Sequence, residues 1–229
     1  MEGAAPLPDL AGLLDYTLLR PDLTEAQVVD ACASARGMGA ASVTVRPCDI
    51  DAAVRALGGS SVAPGSVVSF PHGDATTATK LYELRELLRR GARELDAVLN
   101  VSRMLSRQFQ YVESEIQQMA DSCRKEGARL KVIFENCYLS DELKIVACRI
   151  CSRAEVHFVS TSTHFSPGGY TPDDLRLLRK YLPEDIALKA GSGVRTAEMA
   201  REVMALGCTR IATTHPAQLL EAWRAPAAG

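Results

Sequence analysis

Two short apolar runs, LKVIFE at residues 130–135 and VHFVST at residues 156–161, flank a stretch at 140–153 with the pattern of an amphipathic helix. Both runs are rich in Val, Ile and Phe, as expected of strands that are buried on both faces. Parallel strands need a long crossover, usually a helix, whereas antiparallel neighbours can be joined by a tight turn. This strand–helix–strand unit therefore predicts a parallel sheet covered by helices.

The same alternation extends along the chain in both directions. Further strands are predicted at 14–18, 41–45, 66–70, 94–100, 186–190 and 210–213, and further helices at 24–38, 77–90, 111–125, 171–181 and 196–206. Eight strands alternating with helices predict one α/β domain over residues 1–229, a closed (β/α)8 TIM barrel with a short lead at 1–12 and a frayed tail at 224–229. An open doubly wound sheet is the rival fold, but no G-x-G-x-x-G motif follows the early strands.

Charge and composition argue against several classes of protein. Lys and Arg number 26 against 28 Asp and Glu, and the isoelectric point is near 6.1, which does not favour nucleic-acid binding. The sequence has no apolar run of roughly 18 residues and no secretory leader pattern, so neither a membrane span nor export is expected. Seven cysteines with scattered spacing indicate reduced thiols in a cytoplasmic protein. The C-x-x-C pair Cys148 and Cys151 lies in a predicted helix, which indicates buried thiols rather than a redox or zinc site.

Ionisable residues fall inside three of the predicted strands. Asp96, Lys131 and Lys189 each lie within an apolar run, where an unpaired charge costs several kcal/mol. A structural ion pair would explain any two of them. All three together favour a proton-transfer site at the carboxyl ends of the strands, where the chemistry of such barrels takes place.

Six short motifs follow one another along the chain. They are LDYTLLRP at 14–21, FPHG at 70–73, GARELDAVLN at 91–100, LKVIFE at 130–135, HFVSTSTHF at 157–165 and KAGSGVRT at 189–196. Together they resemble the motifs of the deoxyribose-phosphate aldolase family over residues 13–222. The resemblance implies a TIM barrel and a class I aldolase, a carbon–carbon lyase that acts on a small-molecule substrate without a metal or other cofactor. Members of the family often form dimers, so a homodimer is one expected assembly.

The resemblance also assigns catalytic roles. Asp96 matches the proton-relay aspartate of the family, and Lys189 matches its second active-site lysine. Asp15 and Lys131 match further polar members of the catalytic site. The Schiff-base lysine itself is replaced by Ser160, whose hydroxyl group cannot form an imine with a carbonyl substrate.

Other departures fall around the same pocket. His164 and Ser192 stand where the family has glycines, and His215 and Pro216 follow the last strand where it has a serine or alanine and a glycine. Glycines allow a backbone to approach a phosphate closely, so altered phosphate recognition is expected. The predicted substrate-binding residues are Ser160, Thr44, Glu135, His164, Ser192, Gly193, Arg195, Thr214 and His215.

Three functions fit these observations. The first is an aldolase-like lyase for a small aldehyde, ketone or sugar-like compound, in which Lys189 forms the imine, Lys131 supplies an activating charge and Asp96 moves the proton. The second is non-covalent acid–base catalysis of a dehydration, cyclisation, isomerisation or retro-aldol step in a specialised biosynthetic pathway, assisted by His164 and His215. The third is a catalytically inactive barrel that binds a ligand. No H-x-H or H-x-x-x-H spacing favours a metal-dependent aldolase.

Overall fold

A computed structural model describes residues 9–191 and 193–225, and its strands form a closed, all-parallel barrel. Each strand pairs with its neighbours in chain order, and the last pairs with the first. This confirms the predicted (β/α)8 fold. The strands are β1 (Leu14–Leu18), β2 (Ser42–Val45), β3 (Ala63–Val68), β4 (Glu94–Val98), β5 (Arg129–Ile133), β6 (Phe158–Ser160), β7 (Ala187–Ala190) and β8 (Cys208–Thr213).

Helices connect the strands and surround the barrel. Their inward faces carry Leu, Val, Ile and Ala side chains that pack on the outer faces of the strands and form one continuous apolar core. They are α1 (Glu25–Met38), α2 (Ile50–Leu57), α3 (Thr77–Arg89), α4 (Val101–Leu105), α5 (Phe109–Lys125), α6 (Asp141–Arg153), α7 (Pro172–Tyr181), α8 (Ala197–Ala205) and α9 (Pro216–Arg224). In the part of the chain described, no helix is both long and apolar enough to cross a membrane.

Local sequence signals determine where several helices begin and end. Thr24 caps α1 through a reciprocal pair of hydrogen bonds with Gln27, and Gly39 ends that helix in the left-handed region at φ +71°. Ser140 and Thr171 accept backbone N–H groups at the starts of α6 and α7. These signals match the helix starts and stops that the sequence predicts.

Two predicted strands end earlier than expected because the backbone turns sharply. The strand predicted at 66–70 is observed as β3 over Ala63–Val68, and Ser69 has φ +52°. The strand predicted at 130–135 is observed as β5 over Arg129–Ile133, and Glu135 has φ +54°. A residue with left-handed backbone angles does not continue a strand, so the chain leaves the sheet at both of these points.

The structure describes only part of the predicted lead at 1–12 and of the predicted tail at 224–229. Leu10 and Ala11 pack in the core, 1% and 4% exposed, and Arg224 is the last residue of α9. Residues 1–8 and 226–229 lie outside the described ranges. The short helices α2, α4 and α9 were not predicted.

Candidate active site

A cavity of about 520 Å³ opens at the carboxyl end of the barrel. Residues two apart on a strand share a face, so every second residue points into the barrel. Each strand in turn supplies one inward side chain to the floor of this cavity. These floor residues are Thr17, Thr44, Val67, Asp96, Ile133, Ser160, Lys189 and Ala212.

Most of the walls of the cavity come from the loops that follow the last three strands, and Leu19, Arg20 and Phe70 add to them from the loops after β1 and β3. The loop after β6 supplies His164 and Phe165, and the loop after β7 supplies Gly193 and Arg195. Thr214, His215 and Gln218 follow β8. His164, Arg195 and His215 are exposed at the mouth. The outer part of the cavity therefore carries basic groups, while its one carboxylate, that of Asp96, lies on the floor.

Lys189 lies between two carboxylates. Its Nζ contacts Asp15 Oδ2, and it is 3.0 Å and 3.2 Å from the two carboxylate oxygens of Asp96. The side chain is 4% exposed and reaches the cavity. The predicted meeting of Lys189 and Asp96 at one site is therefore present in the structure.

Lys131 lies beneath the floor and does not reach the cavity. Its Nζ is 2.9 Å from Asp15, 2.9 Å from Glu94 and 3.2 Å from Asp96, and the residue is fully buried. Asp15 is also fully buried below the floor. Both are predicted catalytic residues, and the structure places them as counter-ions of the groups above them rather than as cavity residues.

A second ionic layer lies deeper in the barrel. Arg210 donates to both carboxylate oxygens of Glu94, at 2.6 and 3.1 Å, and to Ser42 Oγ at 2.9 Å. Its guanidinium carbon lies 4.9 Å from the centre of the Phe158 ring. Across both layers the cations Lys131, Lys189 and Arg210 therefore face an equal number of carboxylates, from Asp15, Glu94 and Asp96.

This balance shifts the pKa values of the buried groups. Burial acts to raise the pKa of Asp15, but the Lys131 and Lys189 ammonium groups hold it well below its ordinary value. Burial opposes ionisation of Glu94 too, yet Lys131 and Arg210 lower its pKa to about 2. Burial acts to lower the pKa of Lys131, and the surrounding carboxylates raise it instead. Each of these groups is thus kept charged by its neighbours.

Two of the predicted substrate-binding hydroxyls on the floor differ in their contacts. Thr44 Oγ1 donates to Asp15 at 2.7 Å and lies 3.3 Å from Asp96, so it belongs to the ionic cluster. Ser160 is 1% exposed, and its Oγ has no hydrogen-bond partner among the described residues. Ser160 pairs with Lys189 in the β6–β7 register. A buried hydroxyl without a partner is thus next to the amine of the cavity.

The loop after β6 is held by its own hydroxyl groups. Thr161 and Ser162 donate to the carbonyl oxygen of Gly191, and Thr163 donates to Glu135. Glu135 also accepts the Thr163 backbone N–H and does not line the main cavity. Glu135 instead lines a second, neighbouring cavity, and its substrate-binding role stays a prediction.

The remaining predicted residues are distributed as follows. His164, Gly193, Arg195, Thr214 and His215 line the cavity together with Thr44 and Ser160. Ser192 lies outside the described residues. In the described part of the chain, no cluster of three His, Cys, Asp or Glu side chains is arranged to hold a metal ion.

Glu94 and Arg210 were not predicted, although Glu94 is two residues before Asp96 and must share its face of β4. A second cavity of about 420 Å³ beside the first was not predicted either. Thr163 and Phe165 line both cavities, and His72 lines the second.

Comparison with known proteins agrees with this architecture. Residues 13–204 match the family described as DeoC/LacD family aldolase. The chain belongs to the DeoC/LacD family of aldolases. This confirms the predicted resemblance, and it identifies the chain as a member of a family of carbon–carbon lyases.

Named relatives of the DeoC/LacD family cover almost the whole chain. The deoxyribose-phosphate aldolase of Caldanaerobacter subterraneus is 40% identical over 219 residues, which is 95% of each protein. That of Rhodopirellula baltica is 40% identical over 212 residues, 93% of this chain and 88% of the relative. A solved deoxyribose-phosphate aldolase from Aeropyrum pernix, described as a tetramer, superposes with a TM-score of 0.85 at 29% identity and covers 94% of this chain and 91% of its own.

Proposed function

We propose that this protein is an aldolase-type carbon–carbon lyase for a small aldehyde, ketone or sugar-like substrate, with Lys189 as the group that binds the substrate carbonyl. One observation carries the proposal. Among the described residues that line the cavity, Lys189 is the one with an amino group, and its Nζ lies 3.0 Å from the Asp96 carboxylate. An amine beside a carboxylate is the pair of groups that imine-based aldol chemistry requires.

The steps of this reaction can be assigned to the two residues. Lys189 transfers a proton to Asp96 or Asp15, and its neutral amine adds to the carbonyl carbon. The carbonyl oxygen leaves as water with the proton that this carboxyl group returns, which gives a protonated imine. Asp96 removes the proton from the hydroxyl group on the β carbon as the carbon–carbon bond breaks, the β fragment leaves as an aldehyde, and the electron pair of the broken bond passes to the imine to form an enamine. Asp96 then returns a proton to the enamine carbon, and water releases the product and Lys189.

A second candidate is non-covalent acid–base catalysis, and the charge balance of the barrel favours it. Lys189 is paired with two carboxylates, and within the barrel cluster the cations Lys131, Lys189 and Arg210 match the carboxylates of Asp15, Glu94 and Asp96 in number. As an ammonium group it would donate a hydrogen bond to the substrate carbonyl and stabilise the negative charge that develops there, while Asp96 accepts or returns the proton. Dehydration, cyclisation, isomerisation and retro-aldol cleavage all fit this arrangement, with His164 and His215 at the mouth as further proton carriers.

Reductive trapping separates the two candidates. The protein is incubated with borohydride and a panel of small aldehydes, ketones and sugar phosphates, and any adduct is located by mass spectrometry. An adduct on Lys189 that disappears in Lys189→Met supports the imine reaction. Lys189→Arg is the second variant, because it keeps the positive charge of the cluster but cannot form a stable imine.

The other outcomes each have a meaning. Turnover without an adduct, lost in Asp96→Asn, supports the non-covalent candidate. Neither turnover nor an adduct, with an intact fold by circular dichroism, contradicts both and leaves a binding function. Lys80→Met is the matched control for trapping, since Lys80 is buried outside both cavities.

We further propose that the protein works in the cytoplasm, as a homodimer, without a cofactor and without binding nucleic acid. The near-neutral charge and the free thiol groups of all seven cysteines support this proposal. Mass photometry of the purified chain tests the assembly state, and a tetramer would contradict it.

A further inference from the structure

The hydroxyl groups that line the cavity differ in whether they have a hydrogen-bond partner within the protein. Thr17 donates to the Thr213 carbonyl oxygen, Thr44 to Asp15, Ser162 to the Gly191 carbonyl oxygen and Thr163 to Glu135. Ser160 is buried at least as deeply as these residues, yet its Oγ has no partner among the described residues. A buried hydroxyl without a hydrogen bond is costly, so a ligand that supplies one is favoured at this point.

The position of Ser160 defines which atom of a substrate would meet it. Ser160 and Lys189 are register partners on β6 and β7, and adjacent strands lie about 5 Å apart. The carbonyl group of a bound substrate is already engaged by Lys189 in both candidate reactions, since Lys189 adds to its carbon in the first and donates to its oxygen in the second. The free hydroxyl of Ser160 is therefore available to an oxygen on the neighbouring carbon atom.

The backbone after β7 packs closely against Ser160. Gly191 follows the strand, and a Cβ at this residue would lie 2.8 Å from Ser160 Oγ and would also meet the Ser162 carbonyl oxygen. Thr161 and Ser162 fix Gly191 through hydrogen bonds to its carbonyl oxygen, and the Gly191 N–H donates to Thr161. A side chain at residue 191 would push Ser160 aside, so this glycine allows Ser160 to keep its place on the cavity floor.

From these contacts we infer that the carbonyl substrate bears a hydroxyl group on the carbon next to its carbonyl, and that Ser160 Oγ binds this hydroxyl. The substrate class is an α-hydroxy ketone or α-hydroxy aldehyde rather than a simple alkyl aldehyde. This inference rests on the proposed function, because Lys189 and Asp96 must hold the carbonyl group for Ser160 to meet the adjacent hydroxyl.

Equilibrium binding of two ketones tests the inference. Carbon-13 labelled 1-hydroxypropan-2-one and propan-2-one, which differ by one hydroxyl group, are titrated into the protein and followed by NMR. Wild type is expected to bind the hydroxy ketone at least tenfold more tightly, and Ser160→Ala is expected to lose most of this preference with little change for propan-2-one.

Ser66→Ala is the matched control. Ser66 is a buried barrel serine outside the cavity whose hydroxyl donates to the Val45 carbonyl oxygen. Its removal should lower the thermal midpoint and leave the ratio of the two affinities unchanged. Ser160→Ala removes a hydroxyl without a partner, so its thermal midpoint should equal or exceed that of wild type.

Three results would overturn the inference: no binding of the hydroxy ketone to wild type, an unchanged preference in Ser160→Ala, or an equal loss for both ketones. These results are distinct from failure of the proposed imine chemistry. Borohydride trapping on Lys189 reports that chemistry separately, and the NMR titration measures binding whether or not an imine forms.

Discussion

Lys80 and Lys189 are both buried lysines whose ammonium groups contact carboxylates, but they lie on opposite sides of the barrel wall. Lys80 Nζ, on α3, is 2.6 Å from Glu115 Oε1 on α5 and 3.0 Å from the Val98 carbonyl oxygen. A threonine supports each cluster, since Thr77 donates to Glu115 as Thr44 donates to Asp15.

The two clusters differ in what the ammonium group can reach. Lys80 is 0% exposed and lines neither cavity, so its contacts are complete within the protein. Lys189 lies on the cavity floor, where a substrate can meet it. Burial and pairing are alike in the two places, so a buried ion pair is not in itself evidence of a reactive group. Access from a cavity is the property that distinguishes them.

The largest expected difference is in activity. Lys189→Met should lower kcat/KM for the substrate identified by the trapping panel by about 10³-fold, because it removes the cavity group that binds the carbonyl. Lys80→Met should stay within about twofold of wild type per folded molecule. Both are measured under conditions where each variant is folded by circular dichroism. Equal losses in the two variants would show that the cavity does not distinguish the lysines.

Adding an amine to the cavity sharpens the comparison. Ser160→Lys places a fourth cation beside a cluster with three carboxylates, so one amine has no carboxylate to keep it charged and becomes nucleophilic. Borohydride trapping should then proceed at least tenfold faster, with the adduct at position 160. An adduct that remains on Lys189 would contradict the charge-balance argument.

Stability should change most at Lys80. Lys80→Met leaves Glu115 as a buried carboxylate without its cation, and the free energy of unfolding should fall by about 3–5 kcal/mol. Urea denaturation measures this change. The double variant Lys80→Met with Glu115→Leu should recover most of it, since no unpaired charge remains. A double variant as unstable as the single one would indicate lost packing instead.

Acid should weaken the barrel cluster in a defined pH range. The folded-state pKa of Glu94 is about 2 against an ordinary value of 4.5, so its stabilising contribution is full above pH 4.5 and is lost as the pH falls towards 2. The loss is about 3 kcal/mol. The difference in unfolding free energy between wild type and Glu94→Gln should therefore close over this range. A constant difference would mean that Glu94 has an ordinary pKa in the folded protein.

The smallest expected effects concern the two threonines. Thr44→Val and Thr77→Val each remove one hydrogen bond to a carboxylate, and each should lower the unfolding free energy by about 1–2 kcal/mol. Thr44→Val should also lower activity, since Thr44 contacts both carboxylates that flank Lys189. Thr77→Val should leave kcat/KM unchanged. Denaturation and steady-state kinetics on the same samples separate the two effects.

The sequence was sufficient to predict the fold and the meeting of Lys189 with Asp96, because both follow from strand order. The depth of each residue within the barrel could not be predicted from strand order. Lys131 and Ile133 share the inner face of β5, and only the three-dimensional stagger of the strands decides that Ile133 reaches the cavity. Glu94 and Arg210 pair across 116 residues, a separation at which no local pattern identifies a partner.

Backbone conformation explains the other departures. Glu135 was predicted to bind substrate because it follows β5; its φ is +54°, and its carboxylate accepts from Thr163 and lines the second cavity rather than the first. The helices α2 and α9 have 8 and 9 residues and were not predicted, whereas α8, which also has 9 residues, was predicted. These features depend on individual dihedral angles and short segments, which composition and periodicity do not specify.

One side chain from each strand forms the cavity floor, and the ionic layer of Arg210 and Glu94 lies one step of strand alternation below it. Three floor residues, Thr44, Asp96 and Lys189, also belong to the ionic cluster. The other five floor positions, at Thr17, Val67, Ile133, Ser160 and Ala212, take no part in that cluster. A directed-evolution library confined to these five positions can therefore change the shape and polarity of the pocket while the ionic cluster is left intact.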